Sequence, residues 1–117
     1  MRRLLIPLAL LAALAAPLLL LGEWLTRAVP AVAPSPPRRL DAEPVRIAYA
    51  GGELGGWFVA GRPDMGGVLL LHGIRSSRRQ MIGRAGFLRR AGYASLLVDL
   101  PAHGESSGAR IGLGATE

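Results

Sequence analysis

The sequence predicts an α/β fold: a β-hairpin followed by a strand–helix–strand unit, with one apolar helix in front of it. Three observations lead to this prediction. Residues 45–50 alternate apolar and polar side chains, which is typical of a half-buried strand. An unbroken aliphatic run at 68–71 is typical of a parallel strand covered on both faces, residues 94–98 are expected to be the next buried strand, and a segment with helical spacing lies between them. The third observation is the uncharged run near the N-terminus, at 4–21.

That N-terminal run is long enough to span a bilayer. It covers about 18 residues, or roughly 27 Å as a helix, close to the thickness of the hydrocarbon core. We therefore expect residues 1–22 to be an uncleaved single-pass anchor, with Arg2 and Arg3 on the cytoplasmic side and the remaining chain outside the cytoplasm. The alternative is a signal segment cleaved near Ala33, which gives a secreted or periplasmic protein.

Proline-rich sequence separates this run from the remaining chain. Residues 23–43 have no apolar periodicity, so we expect an extended, semi-rigid linker and a globular part at 44–117. The 117-residue chain has no cysteine, which excludes disulfides and thiolate catalysis. All 14 basic residues are arginine, against 8 acidic residues, and the formal net charge is +6.

Six arginines crowd one short segment that contains no acidic residue. We expect a solvated helix face whose arginine stems cover apolar surface. Nucleic acid and anionic lipid headgroups are the alternative partners of such a cluster, and we do not expect nucleic acid. The six residues are Arg75, Arg78, Arg79, Arg84, Arg89 and Arg90.

The hairpin is predicted from two strands joined by glycine-rich sequence. The strands are expected at 45–50 and 57–60, with the sequence "GGELGG" at 51–56 as the turn between them. A second turn is expected at 61–67, before the aliphatic run.

The helix of the strand–helix–strand unit is predicted from its ends and its apolar face. Ser77 and Gln80 have the spacing of a capping box, which opens a helix. Met81, Ala85 and Leu88 form the inward stripe. Gly92 supplies a left-handed residue to end the helix.

The sequence "GESSG" at 104–108 matches G-x-S-x-G, the pattern of a nucleophilic serine on a strand-to-helix corner. Pro101 already ends the preceding strand, and the glycine-rich sequence at 109–117 has no helical stripe. We therefore interpret Ser106 as part of a turn, and the match as accidental. His72 and His103 have no third ligand nearby in the sequence, so we expect no metal site.

Two quoted segments resemble a known family. "VLLLHGIRSSRRQMIGRAGFLRRAGYASLLVDLPAHGESSG" is similar to the N-terminal portion of α/β-hydrolases of the serine aminopeptidase and monoacylglycerol lipase-like type, and "GGELGGWFVAG" resembles their opening hairpin. The resemblance runs from about residue 45 to the end. His72-Gly73 directly after an aliphatic run, followed by the segment "LLVDLPAHGES", is the specific combination.

The resemblance implies roles for seven residues. The backbone N–H of Ile74 is expected to be one donor of an oxyanion hole, and His72 and Gly73 support its loop. The other four, Asp99, His103, Gly104 and Ser106, belong to a structural turn of the pattern D-x-R-G-x-G-x-S. This sequence departs from that pattern, because Pro101 and Ala102 replace its arginine and glycine.

The function implied by the resemblance is acyl transfer by a serine hydrolase, without a cofactor. Its substrates are small-molecule or lipid esters, or peptides. The family's nucleophile, acid and catalytic histidine follow later strands, so we expect this chain to be a membrane-anchored N-terminal fragment that is inactive alone. The alternative is a membrane-tethered binding or scaffold protein that keeps the fold without the chemistry.

Overall fold

The computed structural model describes residues 2–32 and 35–112, and side chains of the first helix only at residue 7 and from residue 10 onward. Helix α1 spans Arg2–Thr26 and helix α2 spans Ile82–Ala91. The strands are β1 (Val29–Pro30), β2 (Ala42–Tyr49), β3 (Gly52–Val59), β4 (Gly67–Leu71), β5 (Ala94–Val98) and β6 (His103–Gly104). Short 3-10 turns lie at Arg38–Leu40 and Arg78–Met81.

The main sheet has four strands in the order β2-β3-β5-β4. Strands β2 and β3 form the predicted antiparallel hairpin, and β4 and β5 form the predicted parallel pair. Because β5 inserts between β3 and β4, strand β4 lies at the edge of the sheet. This mixed α/β arrangement confirms the predicted fold class.

The hairpin turn is shorter than predicted. Strand β3 begins at Gly52, with Tyr49 opposite Gly52, so only Ala50 and Gly51 connect the two strands. The expectation of a turn across 51–56 was wrong, because two residues close a hairpin and Glu53 and Leu54 then continue the alternation of a strand.

The core lies between one face of the sheet and helix α2. The sheet contributes Trp57, Val59, Leu70 and Leu97 to this core. The other buried members are Leu40, Met81 and Ala85, and Leu88 is partly buried against them. The predicted inward stripe of the helix is thereby confirmed. The opposite face is different: Leu69 and Leu71 are about half exposed, so among the described residues β4, at the edge of the sheet, is covered on one face only.

The predicted C-terminal end of the helix is confirmed, and the predicted N-terminal cap is wrong. Gly92 has φ +94° and donates its N–H to carbonyls of the last turn, as predicted for the C-cap. Ser77 makes no side-chain capping bond; instead the Ser76 hydroxyl bonds to Gln80 Oε1 at 3.3 Å. A 3-10 turn precedes α2, which moves the start of the helix away from Ser77.

Helix α1 has 25 residues; its described leucines at 10–21 are exposed, and Leu25 near its end is partly buried. Across the residues described, no helix combines the length and apolar character that crossing a membrane requires.

Part of the segment predicted as a linker contacts the globular part. Strand β1 pairs in parallel with β6, and the Val29 N–H donates to the Ala102 carbonyl at 2.7 Å. Glu23, which lies shortly before β1 in the sequence, accepts hydrogen bonds from Arg110 through both of its carboxylate oxygens. The domain boundaries at 22–23 and 43–44 remain predictions.

Candidate functional site

Two loops meet at one edge of the sheet. Strands β4 and β5 run parallel with Leu71 opposite Val98, so the loops that follow them, at 72–77 and 99–108, leave the sheet side by side. Ligands of open α/β sheets bind at this carboxyl edge. All seven residues expected to form the site or its turn lie in these two loops.

His72 connects the two loops through both of its ring nitrogens. Its side chain is fully buried. The Leu100 N–H donates to Nε2 at 3.0 Å, and Nδ1 lies 2.7 Å from the Gly73 carbonyl. Because Nε2 accepts the Leu100 N–H, it carries no hydrogen of its own. Nδ1 therefore carries the ring hydrogen and donates it to the Gly73 carbonyl.

His103 makes the same connection in the opposite direction. The Arg75 N–H donates to its Nε2 at 2.9 Å, and its Nδ1 lies 2.9 Å from the Pro101 carbonyl. The His72 and His103 rings contact edge to face, with centroids 4.9 Å apart. All four ring nitrogens are therefore hydrogen-bonded within the protein, which leaves no lone pair for a metal ion.

The backbone N–H of Ile74 is oriented by the carbonyl before it. The Gly73 oxygen accepts from His72 Nδ1–H and from the Ser76 N–H at 3.3 Å. In a trans peptide the C=O and the N–H point in opposite directions, so holding the Gly73 C=O inward turns the Ile74 N–H outward. Ile74 is 50 % exposed, and no described residue accepts a hydrogen bond from this N–H. The Ile74 amide can therefore donate to a ligand.

Asp99 organises the second loop from a buried position. It is 1 % exposed. Its Oδ1 accepts from the Arg78 N–H at 2.7 Å, and its Oδ2 accepts from the Glu105 N–H at 3.1 Å. Gly104 adopts φ +52° beside this carboxylate, and a Cβ there would collide with it. These contacts hold the turn together and occupy both carboxylate oxygens of Asp99.

Arg78 is the residue that sequence reasoning missed. It was assigned to a solvated arginine face, which was wrong, because it is 2 % exposed. Its guanidinium lies over the Trp57 ring, 4.6 Å from the centroid, and Nη1 lies 3.1 Å from Asp99 Oδ2; Nη2 also bonds to Glu105. The sequence offered no local signal for this burial, because Asp99 and Glu105 lie 21 and 27 residues further along the chain.

Ala102 occupies the other position where the turn pattern has glycine. Its φ is +61°, the left-handed conformation that glycine adopts without strain. The turn therefore keeps its bent backbone despite the substitution. Ala102 also accepts the Val29 N–H, which joins β1 to this loop.

Ser106 lies inside the turn with its hydroxyl occupied. Its Oγ donates to the Asp99 carbonyl at 2.6 Å and accepts from the Gly55 N–H at 3.0 Å. The described residues that follow it, up to Gly112, form no helix. This geometry differs from a nucleophile elbow, which needs an exposed hydroxyl and a helix directly after the serine.

The end of α1 reaches the first loop. Arg75 bonds to the Trp24 carbonyl at 2.6 Å, and its guanidinium lies 4.0 Å from the centroid of the Trp24 ring. Residue 75 directly follows Ile74, so the N-terminal segment contacts the wall of the candidate site. The sequence contained no signal for this contact, because the proline-rich segment has no periodicity.

Comparison with solved structures identifies the fold. Three crystal structures of the esterase Pf2001 from Pyrococcus furiosus match this chain, with TM-scores of 0.58, 0.63 and 0.59 and sequence identities of 28 %, 29 % and 30 %. The matches cover 70–75 % of this chain. The chain spans about a third of the esterase's length, between 33 % and 36 %. The fold is therefore of the α/β-hydrolase type.

The other two comparisons found nothing. No family model matches the chain, and no curated protein matches it. The serine aminopeptidase or monoacylglycerol lipase-like subtype thus remains an interpretation of the motifs.

Proposed function

We propose that this chain carries the oxyanion side of an ester-hydrolysing serine hydrolase. The observation that carries the proposal is the contact of His72 with the Gly73 carbonyl at the carboxyl edge of a parallel strand, from which we infer that the Ile74 N–H points outward. Acyl transfer places negative charge on the former carbonyl oxygen, and a fixed backbone donor stabilises that charge without reorganising. The likeness to an esterase supports esters as the substrate class.

The described residues do not supply the nucleophile in this proposal. Ser106 uses its hydroxyl within the turn, and His72 and His103 use every ring nitrogen within the two loops. The attacking serine, its base and its acid therefore belong to other parts of the protein, and the described residues alone do not perform the reaction.

A fluorophosphonate probe tests this proposal, because it labels activated serines. The protein is expressed from its complete reading frame, as wild type and as Ser106→Ala. We expect both forms to be labelled, since Ser106 is structural. Loss of labelling in a folded Ser106→Ala protein contradicts the assignment of Ser106. A folded wild-type protein that is never labelled supports the alternative, a binding or scaffold protein without chemistry.

We also propose that helix α1 holds the domain at a membrane, with the domain outside the cytoplasm. The support is the apolar run at 4–21 and the exposed described leucines of the helix. Among the described residues no helix is long and apolar enough to cross a membrane, so the proposal rests mainly on the amino-acid sequence. Extraction of isolated membranes with alkaline carbonate is the test: an anchored protein stays in the pellet, whereas release into the supernatant contradicts the anchor.

A further inference from the structure

We infer that His103 is a positioning residue for the candidate oxyanion loop. It acts by accepting the Arg75 N–H, one residue after Ile74, and so holds the loop in the bend that presents the Ile74 amide. The inference rests on the proposed function for what the loop does. The hydrogen bond between His103 and Arg75 can be tested independently of the proposed function.

The two histidines form a reciprocal connection, which we call the histidine latch (His72 and His103). His72 comes from the first loop and accepts from Leu100 in the second; His103 comes from the second loop and accepts from Arg75 in the first. Donor and acceptor are 28 residues apart in both cases. Each ring therefore binds backbone of the opposite loop, and the two loops constrain each other.

The two halves of the latch act on different peptide planes. His72 holds the Gly73 carbonyl and so orients the Gly73–Ile74 peptide. His103 holds the N–H of the next peptide, between Ile74 and Arg75. Because Ile74 lies between two peptides that are fixed independently, its N–H has little freedom to turn away from the site.

Arg75 needs such a restraint because its backbone is unfavourable. Its φ is +55°, a left-handed conformation that residues with a side chain rarely adopt. Two contacts hold it there: the backbone bond to His103, and the bond of its guanidinium to the Trp24 carbonyl together with the Trp24 ring. The Trp24 contact is exposed, whereas His103 is 1 % exposed. We therefore assign the dominant restraint to His103.

Two substitutions separate this role from a general contribution to folding. In His103→Gln the side-chain carbonyl reaches the position of Nε2 and can still accept the Arg75 N–H. In His103→Asn the side-chain amide occupies the position of Nδ1, so it keeps the local bond to the Pro101 carbonyl but cannot reach Arg75. The two variants are similarly polar: His103→Gln keeps the contact with Arg75, and His103→Asn keeps the contact with Pro101.

Hydrogen exchange of the Arg75 amide, measured by NMR on the full 117-residue chain, gives the readout. We expect roughly tenfold faster exchange in His103→Asn, and exchange close to wild type in His103→Gln. The φ-sensitive couplings of Arg75 should indicate loss of the left-handed conformation in His103→Asn alone. Unchanged exchange in His103→Asn overturns the inference, and so does equal loss in both variants.

A measurement on the wild-type protein decides the question if a variant fails to fold. An N–H···N hydrogen bond transmits a scalar coupling between the Arg75 amide nitrogen and His103 Nε2. We expect that coupling, and the matching one between Leu100 and His72; its absence at Arg75 overturns the inference.

The same variants give a second readout in the protein from the complete reading frame. There we expect His103→Asn to lower kcat for an ester with little change in KM, and His103→Gln to restore it. A protein without any ester hydrolysis contradicts the proposed function, while the exchange data still decide the latch.

Discussion

At the residue scale, the candidate site depends on one buried arginine. Arg78 brings a positive charge beneath the carboxyl edge, where it lies beside Asp99 and over the Trp57 ring. The same residue donates its backbone N–H to Asp99. Both the loop that carries Ile74 and the turn that carries His103 are therefore tied to one ion pair.

Replacing Arg78 with methionine should be strongly destabilising. Asp99 would remain buried without its counter-charge, and breaking a buried pair in this way costs about 3–5 kcal/mol. The matched control is Arg79→Met, whose side chain is exposed and whose effect should stay within about 0.5 kcal/mol. Urea unfolding of the two variants gives the comparison. Equal free energies of unfolding would contradict the structural role of Arg78.

At the element scale, the strand–helix–strand unit was predictable and its surroundings were not. Strand β5 begins and ends where the buried strand was predicted, and Gly92 ends the helix, because these signals are local. The burial of Arg78 depends on Asp99 and Glu105, which lie 21 and 27 residues away in sequence. Strand β1 has only two residues and pairs with β6 far along the chain, so no periodicity reveals it.

The site residues also divide into those that the sequence predicted and those that it did not. The positions of Ile74 and His72 followed from an aliphatic run and the residues after it. The partners of the two histidines did not, because a ring nitrogen accepts equally well from any backbone N–H that the fold brings close. Only the spatial arrangement of the two loops selects Leu100 and Arg75.

Strand β1 gives an element-scale prediction. Val29→Pro removes the N–H that donates to the Ala102 carbonyl, so we expect a loss of about 1 kcal/mol and faster exchange of the Ala31 amide, which bonds to Gly104. Val32→Pro is the control, because Val32 is 93 % exposed and bonds through its N–H to no described residue. Urea unfolding with hydrogen exchange measures both. If the two variants behave alike, docking of this segment contributes nothing.

At the scale of the whole molecule, one face of the sheet is apolar and open among the described residues. Leu69, Leu96 and Phe58 lie side by side across three strands, on the face opposite α2. Leu69 is 58 % exposed and Phe58 39 % exposed, and β4 presents an unpaired edge beside them. Exposed apolar edges of this kind favour association.

We therefore expect the 117-residue chain to self-associate through this face. Leu69→Lys places a charge on this face at its open edge and should shift the sedimentation velocity profile toward monomer. Phe87→Lys is the matched control, since Phe87 is 64 % exposed but lies on α2. An equal shift in both variants would show that total charge, and not this face, governs association.

The central claim is that the Ile74 N–H stabilises the oxyanion in ester hydrolysis. The most direct measurement is kcat/KM for an ester with the protein from the complete reading frame, as wild type, Ile74→Pro and Ile74→Val. Ile74→Pro removes the donor and should lower kcat/KM by about 10²–10³-fold, whereas Ile74→Val keeps the N–H and should stay close to wild type. A folded Ile74→Pro protein with wild-type kcat/KM would contradict the claim.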